Sequence, residues 1–165
     1  MINHNLIQVI ADKLGFIDRQ RLKHCSQYFY KYIKIKKIDR YYETRLTDET
    51  LQYYPDLERL DVTTNFKITS VNHLKSLKSL DARYDCGIGQ EGIQGCLQLE
   101  ELSAWNNPKI TSVNHLHSLK TLSASYGCGI GQEGIQGCLK LEELDVWGNQ
   151  KIISVNHLKS LKIVE

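Results

Sequence analysis

Apolar residues return in one fixed order along most of this chain. The order runs Leu57-x-x-Leu60-x-Val62-x-x-Asn65. It recurs as Leu77-x-x-Leu80-x-Ala82-x-x-Asp85, Leu99-x-x-Leu102-x-Ala104-x-x-Asn107, Leu119-x-x-Leu122-x-Ala124-x-x-Gly127 and Leu141-x-x-Leu144-x-Val146-x-x-Asn149. The middle of each motif alternates polar and apolar, the period of a strand with one buried face. Short strands are therefore predicted around residues 59–62, 79–82, 101–104, 121–124 and 143–146, with the Leu, Val and Ala positions inward. The opening leucines lie alternately 20 and 22 residues apart, which leaves room for one strand and a compact return path. Units of this length cannot bury their apolar faces alone and must stack on one another. The predicted fold is an α/β repeat solenoid.

The return segments come in two kinds. Residues 68–77 (ITSVNHLKSL) place Ile68, Val71, Leu74 and Leu77 at every third position. Residues 86–99 (CGIGQEGIQGCLQL) carry two cysteines. Residues 46–57 fit the second kind, with Leu46, Leu51, Tyr54 and Leu57 aligning with Ile88, Ile93, Cys96 and Leu99, so a degenerate first repeat starts near Ile35-x-x-Ile38. The two kinds pair into a larger unit: residues 57–98 match 99–140 at 30 of 42 positions without a gap. Asn65, Asn107 and Asn149 suit the turn after the strand, where an amide can both donate and accept. Asp85 and Gly127 stand at the equivalent count in alternate repeats, which predicts a weaker side-chain ladder there.

These motifs resemble the leucine-rich repeat family. The 68–77 type is similar to the internalin return, and the cysteine type to repeats of F-box/leucine-rich-repeat proteins. The resemblance implies a short leucine-rich-repeat horseshoe with a parallel sheet on its concave face and, in the cysteine type, a short helix across the outer face; on this reading residues 35–165 hold about six repeats, the last incomplete. Residues 1–34 lie outside the repeat and predict two amphipathic helices, with Leu6, Ile7, Ile10 and Leu14 on the first and Leu22, Cys25, Phe29 and Ile33 on the second. Two readings of this unit stand side by side. A helical cap would close the open end of the solenoid. Alternatively the segment resembles an F-box: Ile2-Asn3 stands where the family has Leu-Pro, Asp18 at its Asp, Cys25-Ser26 at its small apolar pair and Phe29-Tyr30 at its aromatic pair. Asn3 and Arg19 depart from that pattern.

The F-box resemblance implies an adaptor role. Such proteins bind the Skp-family adaptor of a cullin–RING ubiquitin ligase, here through Leu6, Ile7, Ile10, Leu14 and Leu22, and hold a protein substrate on the repeats. The alternative is a free-standing interaction scaffold with no ubiquitin role. The Lys/Ile-biased composition and near-identical copies also resemble F-box/repeat proteins of mimivirus-like giant viruses, which would place the protein in a host cytoplasm.

The duplication itself points to a substrate face. Of the 12 mismatches between the two copies, ten fall between the first strand residue and the turn (59, 61, 62, 63, 64, 66, 79, 81, 83, 85), whereas 86–97 and 128–139 are identical. Drift of exposed positions is the plain explanation, yet the outer returns also contain exposed positions and do not differ. Read across the strands, one outward column is Tyr41, Thr63, Arg83, Trp105, Ser125, Trp147. The next is Tyr42, Thr64, Tyr84, Asn106, Tyr126, Gly148, and Arg59, Asp61, Asp81, Glu101, Glu143 and Asp145 flank both. Trp, Tyr and Arg carry most interface energy, and exposed aromatic clusters mark binding sites. The acids predict a partner with basic residues near an apolar patch.

Composition narrows the classes. Hydrophobic residues make up 41% of the chain, with two prolines. No apolar run approaches the roughly 18 residues of a membrane span. The amphipathic start MINHNLIQVIADKL lacks a basic leader, and five cysteines, an odd count, suit a reduced, cytoplasmic setting. Residues 1–45 carry ten Lys/Arg and four Asp/Glu, and residues 46–165 eleven and fifteen, hence +6 and −4. The basic stretch Lys31 to Lys37 comes with no nucleic-acid motif, and its isoleucines make the lysines a solvated face, so nucleic acid is not expected as a partner. Gly87-x-Gly89-x-x-Gly92 and Gly129-x-Gly131-x-x-Gly134 match a dinucleotide fingerprint only because the repeat recurs; no βαβ context follows. His73, His115 and His157 are repeat-equivalent and predicted to be surface or turn residues. Cys96 and Cys138 are expected to pack inward and Cys86 and Cys128 to be partly exposed, and spacing alone leaves a Cys86–Cys96 disulfide open. No cofactor, metal or catalytic set is predicted. The final repeat stops at Ile163-Val164-Glu165, partway into a strand, where end-to-end self-association, a longer parent chain or a frayed tail are the alternatives.

Overall fold

The computed structural model describes residues 34–38 and 46–164. The helical unit expected over 1–34, with Leu6, Ile7, Ile10, Leu14 and Leu22, and Tyr41 of the outward column lie outside the described residues.

Seven strands form one parallel sheet in sequence order: β1 (Lys37–Ile38), β2 (Arg59–Asp61), β3 (Ser79–Asp81), β4 (Glu101–Ser103), β5 (Thr121–Ser123), β6 (Glu143–Asp145) and β7 (Ile163–Val164). The register pairs Leu60, Leu80, Leu102 and Leu122 with their equivalents in turn, ending at Leu144. This architecture is a leucine-rich-repeat-like α/β solenoid. Strand β1 extends the sheet by one strand ahead of β2, with Ile35 and Ile38 buried.

The core is a stack of identical layers. Leu57, Leu77, Leu99, Leu119 and Leu141 are each 0% exposed, and Ile68, Val71 and Leu74 fill the layer behind them. Every apolar position of the motif up to Leu144 points inward, as the alternation predicts; Val146 is half-buried.

The cysteine-type returns depart from the expected helix. Gln90–Ile93 and Gln132–Ile135 are single 3₁₀ turns, and among the described residues only Asp48–Leu51 (α1) is α-helical. Space explains it. A Cβ on Gly92 or Gly134 would fall inside contact distance of the Thr69 or Thr111 carbonyl of the neighbouring return, so the chain passes too close for a helix with side chains. In α1, Thr50 replaces that glycine and forms a capping box with Thr47.

Side chains stitch the turns together. Asn107 Nδ2 donates to the carbonyls of Ala82 (2.8 Å) and Ile88 (3.2 Å), while its Oδ1 accepts from Lys109 N (3.0 Å). Asn149 repeats this on Ala124 and Ile130, and Asn65 donates to Leu46. The alternate repeats correct the sequence reading. Asp85 and Gly127 are exposed, and Cys86 and Cys128 take the inward position, fully buried rather than partly exposed. The reason is one extra residue: Val62 precedes Asn65 by three, whereas Ala82 precedes Cys86 by four. The Cys86 thiol donates to the Ala82 carbonyl (3.3 Å) and accepts from Asn107 Nδ2 (3.4 Å). All four described cysteines are free thiols, with no Cys86–Cys96 disulfide. Burial pushes Cys96 and Cys138 up to about 11, so they are inert packing groups.

Candidate binding face

The concave face is built from the odd positions of each strand. The register aligns Arg59, Ser79, Glu101, Thr121 and Glu143 in one row, and Asp61, Asp81, Ser103, Ser123 and Asp145 in the next. Beyond the strand ends of β2 to β6 the backbone turns through a left-handed residue each time: Thr64 (φ 64°), Tyr84 (57°), Asn106 (54°), Tyr126 (54°) and Gly148 (70°). Glycine and asparagine tolerate that conformation. A bulky tyrosine does not, and its presence twice is a strain of about 1–2 kcal/mol each.

The strained tyrosines complete an aromatic row. Tyr84 meets Trp105 edge-to-face at a centroid distance of 4.6 Å, Trp105 meets Tyr126 at 5.0 Å, and Tyr126 meets Trp147 at 4.8 Å. The two columns predicted separately therefore interleave into one row across β3 to β6. Each such pair contributes about 0.5–1.5 kcal/mol. Tyr126 is 41% and Trp147 63% exposed, and Tyr84 and Trp105 are half-buried.

Two members of the predicted outward column are not at the surface. Thr63 and Ser125 are fully buried. Their hydroxyls donate to the carboxylates of Asp81 (3.0 Å) and Asp145 on the following strand, which holds them down against the sheet.

The acids have structural partners as well. Asp145 accepts from Ser123 Oγ (3.0 Å), Ser125 Oγ and the Trp147 amide (3.1 Å), so it sets the backbone that carries the indole. Burial would raise its pKa, but those three donors together hold it below the ordinary aspartate value. Asp61 braces the Thr63 amide in the same way (3.0 Å). Arg83 folds onto Asp81 with a 2.6 Å ion pair, whose hydrogen bond raises the guanidinium pKa. Arg59 reaches over Ser79 to Glu101 (3.0 Å). Glu143 has only a long contact with Thr121 Oγ1 (3.5 Å). The charge is thus uneven: both arginines lie on β2 and the β3 turn, and the face of β4 to β6 carries Glu101, Glu143 and Asp145 with no cation on its own strands.

A second feature escaped the sequence reading. The residue after each opening apolar position alternates in sign: Lys36, Glu58, Lys78, Glu100, Lys120, Glu142, Lys162. Stacking turns this into a comb along the strand-start rim, with Lys36–Glu58 at 2.8 Å, Lys78–Glu100 at 3.9 Å, Lys120–Glu100 at 2.7 Å and Lys162–Glu142 at 2.5 Å. Hydrogen bonds from Lys36, Lys120 and Lys162 lower the pKa of Glu58, Glu100 and Glu142. A shallow groove of about 280 Å³ runs beside this rim, between Lys36, Glu58, Arg59, Lys78 and Glu101, its charges largely cancelled by the same pairs. The signal was available as a strict alternation at one repeat position.

On the outer face, His115 and His157 place Nε2 against the carbonyls of Ile93 and Ile135, and Gln52 approaches His73 Nδ1 at 3.3 Å; all three histidines are half-buried. Among the described residues, no group of His, Cys, Asp and Glu is placed to hold a metal ion, and no helix is long and apolar enough to cross a membrane.

No family model and no curated protein matches this sequence. Solved structures do. An internalin (inlF) from Listeria monocytogenes str. 4b F2365 aligns over 80% of this chain and 52% of its own, at 18% identity and a TM-score of 0.42. The functional domain of InlJ from Listeria monocytogenes, described as including a cysteine ladder, aligns over 78% of this chain and 41% of its own, at 16% identity and a TM-score of 0.33. The chain thus spans about half the length of these structures or less.

Proposed function

We propose that this protein is an interaction adaptor that holds a protein partner on its concave face. The observation that carries this reading is the Tyr84–Trp105–Tyr126–Trp147 row. Tyr84, Tyr126 and Thr64 occupy a backbone conformation that costs stability, at the position where two other repeats use Asn and Gly, and of the three only the tyrosines join the aromatic row. Strain kept at an exposed aromatic row is the mark of a functional surface rather than of packing. No catalytic step is assigned to the chain. The test is affinity capture from a cytoplasmic extract with wild type, Trp147→Ala and the convex control Leu97→Ser. A partner lost only with Trp147→Ala supports the reading; capture indifferent to both variants, or none at all, defeats it.

The finer reading makes the adaptor a substrate receptor of a cullin–RING ubiquitin ligase acting in the cytoplasm. It rests on the F-box resemblance of residues 1–34, with Leu6, Ile7, Ile10, Leu14 and Leu22 forming the Skp-family contact. Purified protein should retain the Skp-family adaptor in a pull-down and lose it on Ile10→Asp/Leu14→Asp with the repeat fold intact. Well-folded wild type that retains no adaptor leaves a scaffold without a ubiquitin role.

A further inference from the structure

The spacing of the aromatic row carries information about what lies on it. Strands of a sheet sit about 4.8 Å apart, so Trp105 after β4 and Trp147 after β6 are about 9.6 Å apart along the solenoid. An extended β-strand laid along that direction repeats its same-side residues about every 6.6 Å, out of step with the indoles. A polyproline-II segment rises about 3.1 Å per residue with three residues per turn, so its same-side residues return about every 9.3 Å. That period matches the two-strand interval. The tyrosines between and beside the indoles, Tyr126 and Tyr84, then face the intervening turns of such a segment, as aromatic grooves face proline rings.

Charge selects which polyproline-II segment. Glu143 and Asp145 are the alternate outward residues of β6, with Trp147 in the turn that follows, and Glu101 stands on β4 with Trp105 in the turn after it. Glu143 has no cationic partner, and the strands β4 to β6 present no lysine or arginine on this face. A planar guanidinium both stacks on an indole and pairs with a carboxylate, which an ammonium does less well.

We propose that the concave face binds an arginine-bearing polyproline-II segment of a partner protein, with arginines three residues apart seated over Trp105 and Trp147. The proposal rests on the interaction-adaptor reading above and names its ligand. Glu143 pairs with the arginine over Trp147, and the strained tyrosines hold the indoles edge-on so that the row stays rigid before the segment arrives.

The chain offers a direct reporter, because its only two tryptophans are Trp105 and Trp147. Full-length protein is titrated with proline-rich peptides lacking aromatic residues: one with arginines at every third position, one with arginines at every second position, and one with glutamine in place of arginine. The first should shift the tryptophan emission saturably. Glutamine replacement should weaken binding about tenfold or more, the sum of a cation–π contact and an exposed ion pair. Glu143→Gln should weaken the first peptide about threefold, with the far-UV spectrum unchanged. Equal binding of the glutamine peptide, or of the second-position peptide, overturns the proposal and leaves the adaptor reading standing. So does silence of all three peptides while a captured partner is still lost with Trp147→Ala. Silence of the peptides with no Trp147-dependent capture defeats both.

Discussion

Tyr126→Asn separates a functional surface from structural cement. Tyr126 sits in the middle of the row, 5.0 Å from Trp105 and 4.8 Å from Trp147, so the variant loses two edge-to-face contacts. At about 0.5–1.5 kcal/mol each, that is a loss of roughly 1–3 kcal/mol. Against it stands relief of strain. The backbone at 126 has φ 54°, the value at which Asn106 already sits on the neighbouring repeat, one strand spacing away. Moving an L-residue with a bulky side chain out of the left-handed region's penalty recovers up to about 1–2 kcal/mol, and asparagine recovers much of it. The net change in unfolding free energy is then about 0–2 kcal/mol destabilising. Leu122→Ala, four residues earlier and 1% exposed, removes a core side chain and should cost about 2–5 kcal/mol. The assay is urea denaturation followed by far-UV circular dichroism, since the substitution alters tryptophan emission directly. If Tyr126→Asn costs as much as Leu122→Ala, the row is structural cement and the argument from strain to function collapses.

Asn107→Ala should destabilise by about 2–3 kcal/mol or more, because the Ile88 carbonyl and the Lys109 amide lose their partner and the Ala82 carbonyl keeps only the weak Cys86 thiol donor; unfolding within 1 kcal/mol of wild type would show that water replaces the amide. Acid should loosen the solenoid through the rim comb. The pKa values of Glu58, Glu100 and Glu142 are lowered in the folded state, so their contribution is present above the ordinary value of 4.5 and is lost as pH falls through the lowered values. Melting temperature should therefore fall on acidification below that value, and the fall should shrink in high salt; a flat acid limb refutes the comb. Cys86, Cys96, Cys128 and Cys138 should resist a thiol reagent in the native protein and react on unfolding; fast labelling of any of the four contradicts their burial.

The fold was legible because its determinants are local and repeated. Leucines at a fixed spacing place one strand per repeat, and the structure pairs those strands in the predicted register. What escaped was decided by single residues acting across neighbours. The inserted Asp85 and Gly127 read as ordinary turn residues, yet they move the buried ladder from the expected position onto Cys86 and Cys128. The predicted helices became 3₁₀ turns because Gly92 and Gly134 lie against backbone of another repeat, a contact that no single repeat encodes. Thr63 and Ser125 counted as outward by alternation, but hydroxyls with an aspartate on the next strand are drawn inward. The aromatic residues were legible as a class, whereas their union into one row depends on turn geometry that hydropathy does not report.

The insertion and the row belong to the same device. In the repeats of β2 to β6 the left-handed residue stands seven positions after the opening leucine, at 64, 84, 106, 126 and 148. In the asparagine repeats the ladder residue follows at once, and the aromatic residue is the one before, Trp105 or Trp147. In the cysteine repeats an extra residue follows instead, and the aromatic residue is the left-handed one itself, Tyr84 or Tyr126. The two turn types thus deliver rings from adjacent backbone positions on adjacent strands, and those rings meet near 80° rather than in parallel, at 84°, 79° and 78°. Had both turn types presented the ring from the same position, translation along the solenoid would have stacked identical side chains face to face, the arrangement that ring quadrupoles disfavour. Alternating the turn is therefore what lets an aromatic residue occur in every repeat without mutual repulsion. Deleting Asp85 and Gly127 together tests this: the cysteine turns should take the asparagine geometry, and the near-ultraviolet circular dichroism of the coupled rings should collapse while the far-ultraviolet signal of the sheet persists. A near-ultraviolet spectrum unchanged by the deletion would mean that the rings order themselves and the turn is incidental.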